Sequence, residues 1–499
     1  MGFGVLGIRG LLALTSVPGV FGAVVERAPG PAPVEIIERD VVIIGGGAAG
    51  SHAAVRLRED FKKSVVVVEK DVLLGGHVDT YIDKTGAPRD YGVQCYFTYD
   101  DALDFIRRPA LNLTLMPGLS RAATGFEATV RNVDFTTGKE LANFTAPDAM
   151  VEIGAIVAMY QVLTSKGYDK MIEPGFYNLP AGPQIPDDLL LPVGQFAAKY
   201  NVTAALAKMY ESTGGGPQAR DSNFLNIMTL TFLQSFSPSW MKVFFGAADL
   251  FYVQGGNQKL YDAIATLLGK DVLYSTTVTS TERTATGVKV KVRGPSGTKV
   301  IKAKKLLVAI PPTRENLAPF DLNAEETDIF AKPTYGRYGT AIVTHPKLTP
   351  GQELHNMPTS AIADPYAPFL NTAHVLTFSS YGTDTDLFSI GVSSSGSSYA
   401  AFDERAATRV AQQSLEKMAL AGTLPKLGCK KLTVVEWSDH GPGGFGVTPA
   451  EMRAGWMDRM YGLQGKRSTW YTGNAIAIDF TTQLWKMNDE TIKRMLAAW

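Results

Sequence analysis

A buried-looking run, Asp40-Val-Val-Ile-Ile44, breaks directly into Gly45-Gly-Gly-Ala-Ala-Gly50. A helical stretch follows from Ser51 to Asp60, with Ala53, Ala54 and Leu57 on one face, and then Ser64-Val-Val-Val-Val68 ends on the acid Glu69. Strand, glycine turn, helix and second strand form one β-α-β unit, and few other folds tolerate this order of residues. Gly45 permits the tight turn, Gly47 lets the backbone approach a pyrophosphate, and Gly50 allows close packing of helix on strand. Ala49 lies in the same turn, at the helix end that faces the phosphates. Glu69 stands nineteen residues after Gly50, where a carboxylate accepts hydrogen bonds from both ribose hydroxyls. The unit reads as a dinucleotide-binding fold.

The 499 residues exceed what one hydrophobic core usually serves, so two or more domains are expected. Lys plus Arg equals Asp plus Glu at 48 each, and a polyanionic partner such as nucleic acid would demand a basic excess. Arg9 followed by apolar Leu11 to Val25, a Pro18-Gly19 break and small residues at Gly22 and Ala23 reads as a secretory signal peptide. That places the protein in the secretory lumen or outside the cell, with no transmembrane segment once the peptide is cleaved. A Pro-rich connector, Glu26 to Glu35, should be extended. Sequons at Asn112, Asn143 and Asn201 would then be glycosylation sites. The two cysteines, Cys95 and Cys429, cannot build a disulfide scaffold or a four-ligand zinc site, and we expect two buried free thiols. The histidines show no ligand spacing, so no metal is expected.

Further along, apolar helical patterns cover Val151 to Leu163, Val193 to Tyr200 and Phe224 to Phe236. Short strands follow around a turn at Ala285-Thr-Gly287, a buried strand at Lys305 to Ile310 stops at Pro311-Pro312, and more strands and a helix fill Tyr335 to Ala421. The tail alternates strand and helix again. The organisation expected is therefore a signal peptide at 1–22 and a discontinuous α/β nucleotide domain in three parts, 36–110, 248–330 and 431–499. A mixed α+β substrate domain is inserted twice, at 111–247 and 331–430.

A second G-x-G-x-x-G, Gly441, Gly443 and Gly446, follows the strand Leu432 to Trp437. No acid ends the next strand, Thr469 to Thr472, so we read it as a loop in the active-site wall. Three other segments stand out: Leu74-Gly-Gly-His-Val-Asp-Thr80, Gly255-Gly-Asn-Gln-Lys-Leu260 and Trp470-Tyr-Thr-Gly-Asn474. With them the chain resembles the flavin amine-oxidase superfamily, and within it fungal flavoproteins of the β-cyclopiazonate dehydrogenase type. The likeness runs over most of Asp40 to Trp499 and is strongest at both ends. It implies a Rossmann-like, GR2-type FAD-binding domain. Gly76 and His77 would line the pyrophosphate, Val278 would clamp the adenine, and Gly473 and Asn474 would sit by the pyrophosphate and the far end of the flavin. The final helix would point its positive end at the flavin pyrimidine. His77 stands where the family has Arg. Phe445 stands where relatives with tethered flavin have Cys, so FAD should be bound non-covalently.

Gln94, after Asp90-Tyr-Gly-Val, could face the flavin, and His440 and Phe445 lie in the loop that would close over it. These three are the catalytic candidates. The reading is an FAD-dependent oxidoreductase that passes hydride from an apolar organic substrate to flavin N5. The substrate would be an amine or an activated C–H bond of a secondary metabolite, and oxygen or another acceptor would reoxidise the flavin. Two alternatives stay open: a redox-neutral isomerase moving a double bond in an unsaturated fatty acid, and a non-enzymatic FAD-containing binding protein.

Overall fold

The computed structural model describes residues 34–120, 125–212, 224–370, 373–394 and 403–499. The expected signal peptide and most of the Pro-rich connector lie outside the described residues. The first strand starts earlier than the apolar run suggests: β1 spans Glu35–Ile44. Next come α1 (Ala48–Val55), a π-helical turn (Arg56–Asp60) and β2 (Val65–Val68). Val41 to Ile44 and Val65 to Val68 are buried throughout, as expected of parallel strands covered on both faces.

Six strands in the order β4-β2-β1-β7-β6-β5 make the body of the first sheet, where β4 is Val272–Leu273, β5 Thr277–Arg283, β6 Val288–Gly294 and β7 Gly297–Val308. The long β7 serves two neighbours on one edge. Its first half pairs antiparallel with β6, and Leu306 to Val308 pair in parallel with β14 (Thr469–Tyr471). Segments from the beginning, middle and end of the chain therefore share one sheet. The parallel strands bring their C-terminal ends together where the glycine turn lies, the position at which such sheets bind ligands.

The second sheet has eight strands and runs β12-β8-β11-β10-β9-β3 from one edge, ending on the short strand Lys139–Glu140. Here β3 is Thr129–Asp134, β8 Thr334–Thr344, β9 Gln352–Asn356, β10 His374–Ser380, β11 Phe388–Ser394 and β12 Thr433–Asp439. The eighth strand, β13 (Gly443–Gly446), pairs only with the start of β8. A helix, α5 (Glu404–Leu420), packs Ala407, Ala411, Leu415 and Met418 against Val343, Val375 and Ile390 of this sheet. The strand at Leu432 to Trp437, placed by sequence in the last nucleotide-domain segment, is β12 of this second sheet, pairing with β8 through Gly339 to Thr344.

Helices fill the rest of the insertion, among them α2 (Ala149–Ser165) and α3 (Pro238–Phe244), followed by α4 (Gln258–Leu268) and, at the end of the chain, α6 (Thr481–Ala497). The expected helix at Phe224 to Phe236 is broken into a short 3-10 turn and Thr229–Ser235. Both cysteines are free, but only Cys95 is partly buried; Cys429 is exposed, contrary to the expectation of two buried thiols. Among the described residues no helix is long and apolar enough to cross a membrane, and no His, Cys, Asp and Glu cluster could hold a metal.

Candidate active site

The glycine turn leaves no space for side chains. Gly45 has φ +100°, and a Cβ on Gly50 would lie 1.8 Å from the Gly45 carbonyl oxygen. Across a gap, a Cβ on Gly76, itself at φ +62°, would come within 3.0 Å of Gly47 Cα. Two glycine turns thus face one another with nothing but backbone between them. The first turn of α1 holds no acidic residue, and its N-cap Gly47 brings no side-chain cap. Its free N–H groups and positive end suit a phosphate.

Glu69 is buried at the end of β2. Its Oε2 accepts from Gly46 N at 2.5 Å and its Oε1 from Asp71 N at 2.8 Å. Each oxygen keeps a lone pair for a further donor, and burial raises the pKa of the group. The other glycine segments converge on the same side. Gln258 N donates to Thr80 Oγ1 at 3.1 Å, its Nε2 donates to the Leu74 carbonyl at 2.9 Å, and Asn257 N donates to the buried Asp90 at 3.1 Å. Val278 is half-buried at the start of β5.

The C-terminal segment closes the cradle. After β14 the chain turns through Thr472, Gly473 at φ +116° and Asn474, then returns in α6. Trp485 Nε1 donates to the Ala48 carbonyl at 3.2 Å and Asn488 Nδ2 to that of Ala49 at 2.6 Å, so α6 is fastened to the start of α1. In the first turn of α6 the Thr482 hydroxyl is buried without a partner. Just before it, Asp479 N donates to the Gln234 carbonyl at 2.8 Å, while Gln234 Nε2 donates to the Asn474 and Ala477 carbonyls.

Several ionisable groups here are strongly desolvated yet keep accessible surface, so they line an internal cleft. Burial pushes the Asp479 carboxyl up to about 7, opposed by a hydrogen bond from Asn474, and raises the Cys95 thiol to about 12. Burial, helped by His440 and Lys70, drives His77 down to about 3, so its imidazole is neutral at physiological pH. Glu173 is also raised by burial.

Of the three catalytic candidates, His440 is held most tightly. Its Nε2 lies 2.8 Å from Asp79 Oδ2, its ring stacks on His77 at 4.7 Å between centroids, and Thr340 Oγ1 is 3.4 Å away. The site thus holds a carboxylate–imidazole pair that joins the glycine segment to the second sheet. Phe445 is buried in β13 against Tyr335, 4.9 Å between ring centroids. Beside it lies a cavity of about 200 Å³ lined by Leu190, Pro192, Met228, Thr334, Val447 and Pro449. Gln94 does not have a free amide to offer a cofactor. Its Nε2 donates to the Asp90 and Gly92 carbonyls, and its Oε1 accepts from Ser120 Oγ at 3.1 Å, so it braces its own loop. Sequence reading passed over Asp79, Glu173 and Asp479 as site residues; the carboxylates of the first two acquire their partners from distant parts of the chain, and Asp479 is tied to Gln234 through its backbone N–H. The second glycine motif carries no nucleotide-type helix, only the five-residue Pro449–Arg453 capped by Thr448.

The facing glycine turns, the uncapped start of α1 and the unpartnered Thr482 hydroxyl fit a bound dinucleotide. Gly45, Gly47, Ala49 and Gly50 would hold its phosphates with Gly76 and His77, and Glu69 its ribose.

Comparison with known proteins agrees with this geometry. Residues 43–109 match the family described as NAD(P)-binding Rossmann-like domain, and residues 213–420 that described as flavin containing amine oxidoreductase. The chain is 32% identical to the FAD-dependent oxidoreductase oblC of Cochliobolus heterostrophus, across 93% of this chain and 92% of that protein. It is 30% identical to β-cyclopiazonate dehydrogenase of Aspergillus oryzae, across 93% and 94%. Two solved structures share the fold at 16% identity. A CLA-producing fatty acid isomerase from P. acnes has a TM-score of 0.68, covering 91% of this chain and 98% of that one. Putrescine oxidase bound to putrescine has a TM-score of 0.59, covering 93% and 100%.

Proposed function

Because this chain belongs to the FAD-dependent oxidoreductases of the flavin amine-oxidase superfamily, we propose that it oxidises an apolar secondary metabolite at an amine or an activated C–H bond, using non-covalently bound FAD. When bound, FAD supplies the hydride acceptor at N5 and passes the electrons on to oxygen or another acceptor. Everything else in the reaction falls to this chain. The two glycine turns and Glu69 hold the cofactor, and the aromatic and aliphatic walls exclude water and keep the reacting C–H bond in one orientation. His440, buried and paired with Asp79, holds or removes the substrate proton that must leave as the C–H electrons depart. His77 offers the pyrophosphate a neutral N–H where relatives offer a charge. Phe445 has no nucleophilic atom, which supports release of intact FAD on acid or heat denaturation; flavin remaining on the precipitated chain would reject it.

The observation carrying this reading is the backbone-only gap between Gly47 and Gly76 beside a buried Glu69. β-Cyclopiazonate dehydrogenase is named for the metabolite it dehydrogenates, and that chemistry favours oxidation over the isomerase alternative, which shares only the fold. Anaerobic mixing of the purified protein with β-cyclopiazonate and aliphatic amines, followed by flavin absorbance, tests it. Lasting bleaching by one of them is expected, whereas turnover without net bleaching would point to isomerisation.

We further propose a secretory-lumen location with glycans at Asn112, Asn143 and Asn201. All three asparagines are exposed, and the first and third sit in left-handed turns at φ +49° and +54°.

A further inference from the structure

The wall beside the first turn of α6 is aromatic. Phe480 stacks on Trp240 at 4.4 Å, and Phe97 meets the same indole edge-on at 5.6 Å. Within it lies a short polar chain. Glu173 accepts from Ser239 N at 2.8 Å, Ser239 Oγ at 2.7 Å and Gln483 Nε2 at 3.0 Å. Gln483 Oε1 in turn accepts from Ser237 Oγ at 2.9 Å. Each of these acceptors therefore already holds at least one donor. The wall's open valence is a donor: Trp240 is 6% exposed, and its Nε1–H is buried with no partner. A buried N–H left without an acceptor is disfavoured and seldom persists in a folded protein. It is accounted for if a bound molecule supplies the acceptor.

We propose that Trp240 is a specificity-determining donor, and that the substrate is a flat, apolar molecule presenting a carbonyl-type oxygen to its indole N–H rather than a primary ammonium. An ammonium brings donors only, and so leaves the Trp240 N–H without an acceptor. A carbonyl oxygen pairs that N–H, and a planar skeleton stacks on the same aromatic surface. The proposal rests on the FAD reading, which sets α6 and this wall at the cofactor, and it narrows the substrate class.

Three probes of nearly equal shape separate the possibilities: acetylnaphthalene, isopropylnaphthalene and naphthylethylamine. Each is titrated into the flavin-loaded protein and into Trp240→Phe, which keeps an aromatic ring and removes the donor, with binding read from the shift of the flavin absorption band. The parent protein is expected to bind the ketone about tenfold more tightly than the hydrocarbon or the amine, and Trp240→Phe to lose that preference. A yellow parent protein with no ketone preference, whether all the probes bind or none does, overturns the proposal. So does a preference that survives in Trp240→Phe. A protein that purifies without flavin would instead reject the cofactor reading, and this inference with it.

Discussion

Gly50 has no room for one methyl group, since its Cβ would overlap the Gly45 carbonyl, and Glu69 holds the same turn from below through Gly46 N. Replacing Glu69 with Ala leaves the buried Gly46 amide and the part-buried Asp71 amide unpaired and removes the acceptor for ribose hydroxyls. A cost of about 1–3 kcal/mol follows, or roughly tenfold to a hundredfold weaker FAD binding, measurable by quenching of flavin fluorescence. An unchanged dissociation constant would mean the turn holds something else. Asp479 allows a pH test. Its folded pKa is raised by burial, so the group favours the folded state below its unfolded value and that contribution is lost as pH rises through about 7. In the apoprotein, Asp479→Asn should therefore raise the melting temperature at pH 8 relative to the parent, with the gain shrinking as pH falls toward 4. A gain independent of pH would show that Asp479 does not titrate in this window. The glycines and Glu69 were legible in sequence because one contiguous β-α-β unit carries them. The Asp79–His440 pair was not, because its partners stand 361 residues apart and only the fold joins them. Gln94 shows the converse: a polar residue in a suggestive place, spent on its own loop.

Among elements, the β5–β6–β7 meander is tied to β14 by a buried ionic network. Arg283, whose side chain is fully enclosed, binds Asp321 at 2.8 Å and Glu326 at 2.7 Å, and Glu326 also accepts from Tyr471 of β14 at 3.0 Å. Arg467 joins the same two acids from the turn that precedes β14. Replacing Arg283 with Met strips the main counter-charge from Glu326, which is almost wholly buried. Breaking a buried pair in this way costs about 3–5 kcal/mol. The expected outcome is a clear fall in melting temperature with weaker retention of FAD, since β14 leads directly into Gly473 and Asn474. A variant as stable as the parent would show that the network does not hold β14 in register. The strands themselves were readable from their β-branched runs, but their sheet was not. β12 has the look of another nucleotide-domain strand followed by a glycine motif, and only its pairing with β8 places it in the second sheet. Periodicity reports that a segment is a strand; the partner is decided by register and packing over long separations.

On the scale of the whole molecule, three separated stretches of chain meet in one sheet, and the cleft lies where that sheet, the inserted helices and the second sheet come together. The folded body carries its three sequon asparagines on the outside, away from the buried strands, so an oligosaccharide transferase would find each one open once the chain reached an oxidising lumen. Folding there would also leave Cys429 exposed to oxidants, while Cys95, half-buried and with its thiol pushed by desolvation to about 12, would stay unreactive. We therefore predict that a eukaryotic host exports the protein with its mature chain beginning near Ala23, with glycans at Asn112, Asn143 and Asn201 and with flavin still bound. N-terminal sequencing of the exported material, glycosidase digestion and labelling of native thiols test the three parts separately. Labelling should report Cys429 alone, with Cys95 appearing only on denaturation. A protein that stays in the cytosol with Met1 intact and no glycan would reject the export claim. The cofactor assignment would be untouched, because every residue that carries it lies from Asp40 onward.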